Sequence, residues 1–79
     1  MRAIDDDTEV KVAVLRTLLG WGSLPESDVS RMLKQYFLVT DDFRDMAEEG
    51  LLDMVFVGDE YVLSCSTLGR LFLEQQEQP

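Results

Sequence analysis

The side chains able to do chemistry in this sequence are overwhelmingly carboxylates. Asp41, Asp42, Asp45, Glu48 and Glu49 crowd the stretch "TDDFRDMAEEG", residues 40 to 50, beside the single base Arg44, and Asp59 and Glu60 follow in "GDE". Carboxylates can hold metals, move protons or present a negative field. The first two uses are poorly served. There is no histidine, so the commonest base near neutral pH is missing. Asp5, Asp6 and Asp7, and again Asp41 and Asp42, lack the ligand spacing of a calcium loop. The one cysteine, Cys65, has no histidine to activate it and reads as a small, half-buried apolar residue. No glycine loop cradles a phosphate, because Gly20 and Gly22 flank Trp21 as helix caps. The sequence therefore points away from an enzyme and calls for no cofactor or metal. What remains is charge: sixteen acidic against seven basic residues, a formal net charge of −9. That balance repels phosphate backbones and anionic membranes and attracts basic surfaces.

Position decides what the charge can do, so the elements come next. Seventy-nine residues make one domain, 1–79. The acids at 5–7 suit the positive end of a first helix. That helix is expected from about Thr8 to Leu19, with Val10, Ala13, Val14 and Leu18 on one face. Val12, Leu15 and Leu19 form a second apolar stripe beside it. "GWG" ends the helix, and Trp21 is either a lid on the core or an anchor for a partner.

"SLPE" fits a capping box, with Ser23 as N-cap and Glu26 reaching back. Val29, Met32, Leu33 and Tyr36 then mark the buried stripe of a second helix. After the turn-like "FLVT", whose aromatic and apolar residues are either lid or anchor, Thr40 is expected to cap a third helix. Phe43, Met46, Ala47 and Leu51 are its inner face and Gly50 its C-cap. "MVFV" and "YVLS" flanking "GDE" read as a β-hairpin. In it Met54, Phe56, Tyr61 and Leu63 share one face and Val55, Val57 and Val62 the other. Ser66 or Thr67 caps a last helix with Leu68, Leu71 and Phe72 inside. Residues 1–6 and 75–79 are expected to fray. No stretch has the length and apolarity of a membrane span or a signal peptide, which predicts a soluble, cytoplasmic protein.

The order three helices, hairpin, helix is that of an α+β, mainly α, winged helix-turn-helix domain, and particular residues strengthen the likeness. "LPESDVSRMLKQ" (24–35) resembles that fold's supporting helix. "TDDFRDMAEEGLLD" (40–53) resembles its recognition helix. Tyr61, Leu63, Gly69, Arg70 and Leu73 in "YVLSCSTLGRLFLE" resemble the passage of MarR- and PadR-type regulators in which the second wing strand enters the last helix. The resemblance implies a third helix that reads base edges and a wing that touches phosphates, tasks for Lys and Arg. Here the matched positions carry the opposite sign: Asp41, Asp42, Asp45, Glu48 and Glu49 against Arg44, then Asp59 and Glu60 at the wing. Each carboxylate near a phosphate costs roughly 1 kcal/mol in water.

Either the acidic face is a solvated surface, or it docks on a cationic partner such as a nucleic-acid-binding protein. Size, charge and placement favour docking, in the general manner of small phage-encoded inhibitors of CRISPR or restriction complexes. The bases Lys11, Arg16, Arg31 and Lys34 are expected to sit elsewhere. The alternative from a different class is a dimeric winged-helix regulator that binds DNA. It would be paired through Val12, Leu15, Leu19 and Trp21, with Arg31, Lys34 and Arg44 toward the duplex.

Overall fold

Apolar residues at helical spacing build three of the four helices, and the sheet closes the core that they share. The computed structural model describes residues 6–77, with side chains over 8–76. In chain order the elements are α1 (Asp6–Trp21), β1 (Leu24–Pro25), α2 (Glu26–Met32), a 3-10 turn (Lys34–Tyr36), α3 (Thr40–Glu48), β2 (Leu52–Val57), β3 (Glu60–Cys65) and α4 (Thr67–Glu77). The architecture is α+β and mainly helical, with one three-stranded antiparallel sheet in the order β1-β3-β2. Among the described residues no helix is long and apolar enough to cross a membrane.

The core joins Val14, Leu15 and Leu18 of α1, Val29 of α2, Phe43 and Met46 of α3, Leu51, Leu52 and Leu63 around the sheet, and Leu73 of α4. Phe43 at its centre is fully buried, and a ring of that size is worth roughly 3 kcal/mol of transfer free energy. The hairpin takes the expected register: Met54 stands opposite Leu63, Phe56 opposite Tyr61 and Val55 opposite Val62. The Phe56 and Tyr61 rings meet edge to face at 5.1 Å.

Helix ends explain where each element stops. Past α3, Gly50 takes φ +84°, its N–H bonds the Ala47 carbonyl at 3.0 Å and the Leu51 N–H bonds the Met46 carbonyl at 3.0 Å. This is the paired closure of a helix on a left-handed glycine. It turns Leu51 and Leu52 into the core. Ser66 caps α4: its Oγ accepts the Gly69 N–H at 2.9 Å and donates to the Gly50 carbonyl, joining the end of α3 to the start of α4.

Several expectations are corrected. Ser23 does not cap α2. Leu24 and Pro25 instead form a short third strand opposite Leu63 and Val62, where Pro25, extended at φ −63°, ψ 150°, occupies a sheet edge, a place in which proline is tolerated. Helix α2 then starts at Glu26 and stops at Met32, which is exposed rather than inward, because Leu33 leaves the helical region and the chain tightens into the 3-10 turn. Thr40 does not cap α3; Val39 precedes the helix, and the Asp42 carboxylate accepts the Val39 N–H at 2.8 Å. Valine has no acceptor, so only the acidic half of a capping box is present. Thr40 instead donates to Glu26. In α4, Leu68 and Leu71 are largely exposed while Leu73 is buried, so the inner face is rotated from the expected one. At the ends of the expected frayed stretches 1–6 and 75–79, Asp6 and residues 75–77 are helical. Residues 1–5 and 78–79, the Asp5 position included, lie outside the described residues.

Candidate functional site: an acidic surface in two groups

Helix α3 spends its apolar residues inward, so its carboxylates project outward by default of the helical period. The structure divides the expected acidic site into two groups. Asp42, Asp45, Glu48 and Glu49 border an open groove between α3 and α1, with Val10 and Lys11 on the opposite wall. Asp59 and Glu60 do not join them. The hairpin places these two beside Glu26 and Ser27 at the start of α2, Thr40 at the start of α3, and the Phe56 and Tyr61 rings.

Pairing within each group reduces the free charge. Lys11 Nζ lies 2.8 Å from Glu49 Oε1, so one of the bases expected elsewhere sits in the acidic groove. Arg44 Nη1 lies 2.8 Å from Asp41 Oδ1 one helical turn away. Asp42 is engaged with the Val39 amide. In the second group Ser27 Oγ donates to Glu60 at 2.9 Å, and Thr40 to Glu26. The carboxylates of Asp45, Glu48 and Asp59 have no hydrogen-bond or ion-pair partner among the described residues. Five carboxylates on the α3 stretch against Arg44 and Lys11 leave a surplus of three negative charges on this face.

The four residues expected as an apolar anchor do not make one face. Leu15 is fully buried in the core and offers no surface, and Val12 is half-buried against that core. Leu19 and Trp21 are exposed, but two residues along a helix differ by ~200° in direction. Trp21 is 69% exposed and no lid on the core; it lines a groove with Ala13, Leu33 and Tyr36. Phe37, in the turn before α3, is 86% exposed and left-handed at φ +54°, ψ +48°, a conformation costly for a residue with a β-carbon.

Sequence reading missed Glu26, taken for a capping residue, and Lys11, whose partner is 38 positions away; nothing local signals either. It also missed β1, which covers the outer side of β3 and leaves β2 as the one long edge of the sheet. Compared with protein-family models, curated proteins and solved structures, the chain matches none.

Proposed function

We propose that this chain is a winged-helix domain that acts by binding another protein, docking its acidic α3 and hairpin on a basic, nucleic-acid-binding surface. The element order and the β1-β3-β2 sheet are compatible with that fold. The observation that carries the functional reading is the exposed trio Asp45, Glu48 and Asp59, which no cation among the described residues neutralises. Asp41, Asp42 and Glu49, by contrast, are tied to a cap or an ion pair. Carboxylates left free on an element that would otherwise meet phosphates are available to lysines and arginines of a partner. Inhibitors of the anti-CRISPR or anti-restriction kind, which occupy a nucleic-acid channel, are the functional class this reading favours.

The competing reading is a dimeric winged-helix regulator on DNA, drawing on the same chain order. Against it weigh Arg31, held by Asp28 at 2.6 Å, and Arg44, held by Asp41, both already engaged by carboxylates of their own helices.

Affinity capture at low salt from nuclease-treated host extract, wild type against the triple variant Asp45→Lys, Glu48→Lys, Asp59→Lys, tests the proposal. A protein retained by the wild type, released by salt and lost by the variant supports it. Equal retention by the variant, or a mobility shift of mixed-sequence DNA at low salt, overturns it.

A further inference from the structure

The two edges of the sheet are treated differently. On one side β1 is only two residues long and contains Pro25, both devices that stop further strands from adding. On the other side β2 has no such protection. It runs six residues, and its register with β3 is continuous from Leu52 opposite Cys65 to Val57 opposite Glu60, so no bulge bends it away. No lysine or proline lies within it, and Asp53 is its one charge. Among the described residues no strand pairs with its outer side. Val55, Phe56 and Val57 are 57%, 61% and 55% exposed, placing apolar side chains on both faces of that edge. Alternate residues of an antiparallel strand direct their N–H and C=O away from the existing partner, so β2 offers unused backbone groups along an apolar strip.

A second copy of this chain is a poor occupant. Antiparallel pairing of two β2 strands centred on Val55 would bring Asp53 of one copy toward the Asp59 and Glu60 tip of the other. Parallel pairing would set Asp53 against Asp53 and tip against tip. Both juxtapose like charges, on chains that each carry −9. The same carboxylates favour a segment with positive ends.

We propose that β2 is a strand-addition site. An extended segment of the basic partner pairs with its outer edge; apolar residues at the middle of that segment cover Val55, Phe56 and Val57, and Lys or Arg at its ends face Asp53 and the Asp59 and Glu60 tip. Main-chain bonds supply affinity in this mode and alternate side chains supply selectivity. The inference rests on the cationic partner proposed above.

The test titrates isotope-labelled protein with a short peptide of alternating valine and threonine flanked by lysines, following backbone amide shifts. Two further peptides are compared: one N-methylated at alternate residues on the pairing edge, one methylated on the opposite edge. A lysine–glycine peptide without apolar residues serves as the charge control. Strand addition predicts that shifts centre on residues 53–57, and that methylation on the pairing edge weakens binding by roughly tenfold or more, the loss of one or two backbone hydrogen bonds, while methylation on the other edge does not. Shifts confined to α3, or equal binding of the two methylated peptides, overturn strand addition while leaving the acidic docking face standing. Failure of every lysine-bearing peptide to bind, the charge control included, overturns both.

Discussion

A β-carbon placed on Gly69 would stand 2.0 Å from the Leu51 carbonyl oxygen and 3.1 Å from Cys65 Sγ. The start of α4 therefore lies directly on the chain leaving α3, and only a residue without a side chain permits that approach. The contact matters to function because Gly50, Leu51 and Leu52 set the direction from the acidic helix into β2. Gly69→Ala is expected to destabilise the fold by about 3 kcal/mol, since the obstacle is backbone and cannot rotate away. Gly20→Ala, also helical but with open space around it, should gain up to about 1 kcal/mol from helix propensity. Denaturant unfolding of the two variants gives the contrast. Similar stabilities would mean that α4 does not sit this closely.

Ser66 fastens the same junction by hydrogen bonds. Its Oγ accepts from Gly69 and donates to Gly50, and its N–H reaches the Leu51 carbonyl at 3.2 Å. Ser66→Ala removes the cap and strips a partner from the part-buried Gly50 carbonyl, for an expected loss of about 1–2 kcal/mol. Ser66→Asp retains a cap acceptor but cannot donate to Gly50, so it should recover only part of that loss. Full recovery would show that the Gly50 bond contributes nothing.

How much of this was legible in the sequence follows from the range of each signal. The α3 stripe of Phe43, Met46 and Leu51 and its Gly50 stop are local and periodic, and they stand where expected. The hairpin register could be read because Met54, Phe56, Tyr61 and Leu63 alternate about a short glycine turn. Strand β1 was hidden because two residues carry no period, and Pro25 beside Ser23 and Glu26 imitated a helix start. The acidic residues were visible, but their division between the α1–α3 groove and the hairpin side was not, since it depends on tertiary placement. For the same reason Lys11 was assigned away from the acids, although it faces Glu49.

Phe37 holds a left-handed backbone at the turn before α3, with its ring in solvent. Phe37→Gly relieves that strain, offset in part by the greater freedom of glycine in the unfolded chain, for an expected net gain of about 0.5–1 kcal/mol. Phe37→Ala keeps the β-carbon and the strain and should gain nothing. Thermal unfolding of both variants separates backbone strain from loss of the ring. If alanine stabilises as much as glycine, the exposed ring and not the backbone is the unfavourable element.

Tyr36 donates its hydroxyl to Glu9 Oε2 at 3.2 Å, tying the 3-10 turn to α1. Desolvation raises the phenol above the ordinary tyrosine value, and the Glu9 hydrogen bond and negative charge raise it further. The fold thus favours the neutral phenol. Its contribution to stability is complete below the unfolded-state value near 10 and is lost as pH rises through the higher folded value. Ultraviolet difference titration in a Tyr61→Phe background should place Tyr36 above free tyrosine, and Glu9→Gln should bring it down. An unchanged value in Glu9→Gln would remove Glu9 as a cause.

Cys65 pairs with Leu52 at the end of the hairpin and touches the space that Gly69 leaves open. Burial pushes its thiol above the usual range; Arg70 pulls it down and Asp53 adds to the rise. A thiol held protonated is a slow nucleophile, so at neutral pH it should react with a disulfide reagent more slowly than in the unfolded chain. Arg70→Gln removes the one cation that favours the thiolate and should slow the reaction further, whereas Asp53→Asn should speed it. Because the fold prefers the neutral thiol, its contribution to stability is present below the unfolded-state value and falls away as pH climbs through the folded one. The rate profiles of the wild type and the two variants against pH check the reactivity: a wild-type inflection at or below that of free cysteine would mean that the junction of β3 and α4 is open to solvent.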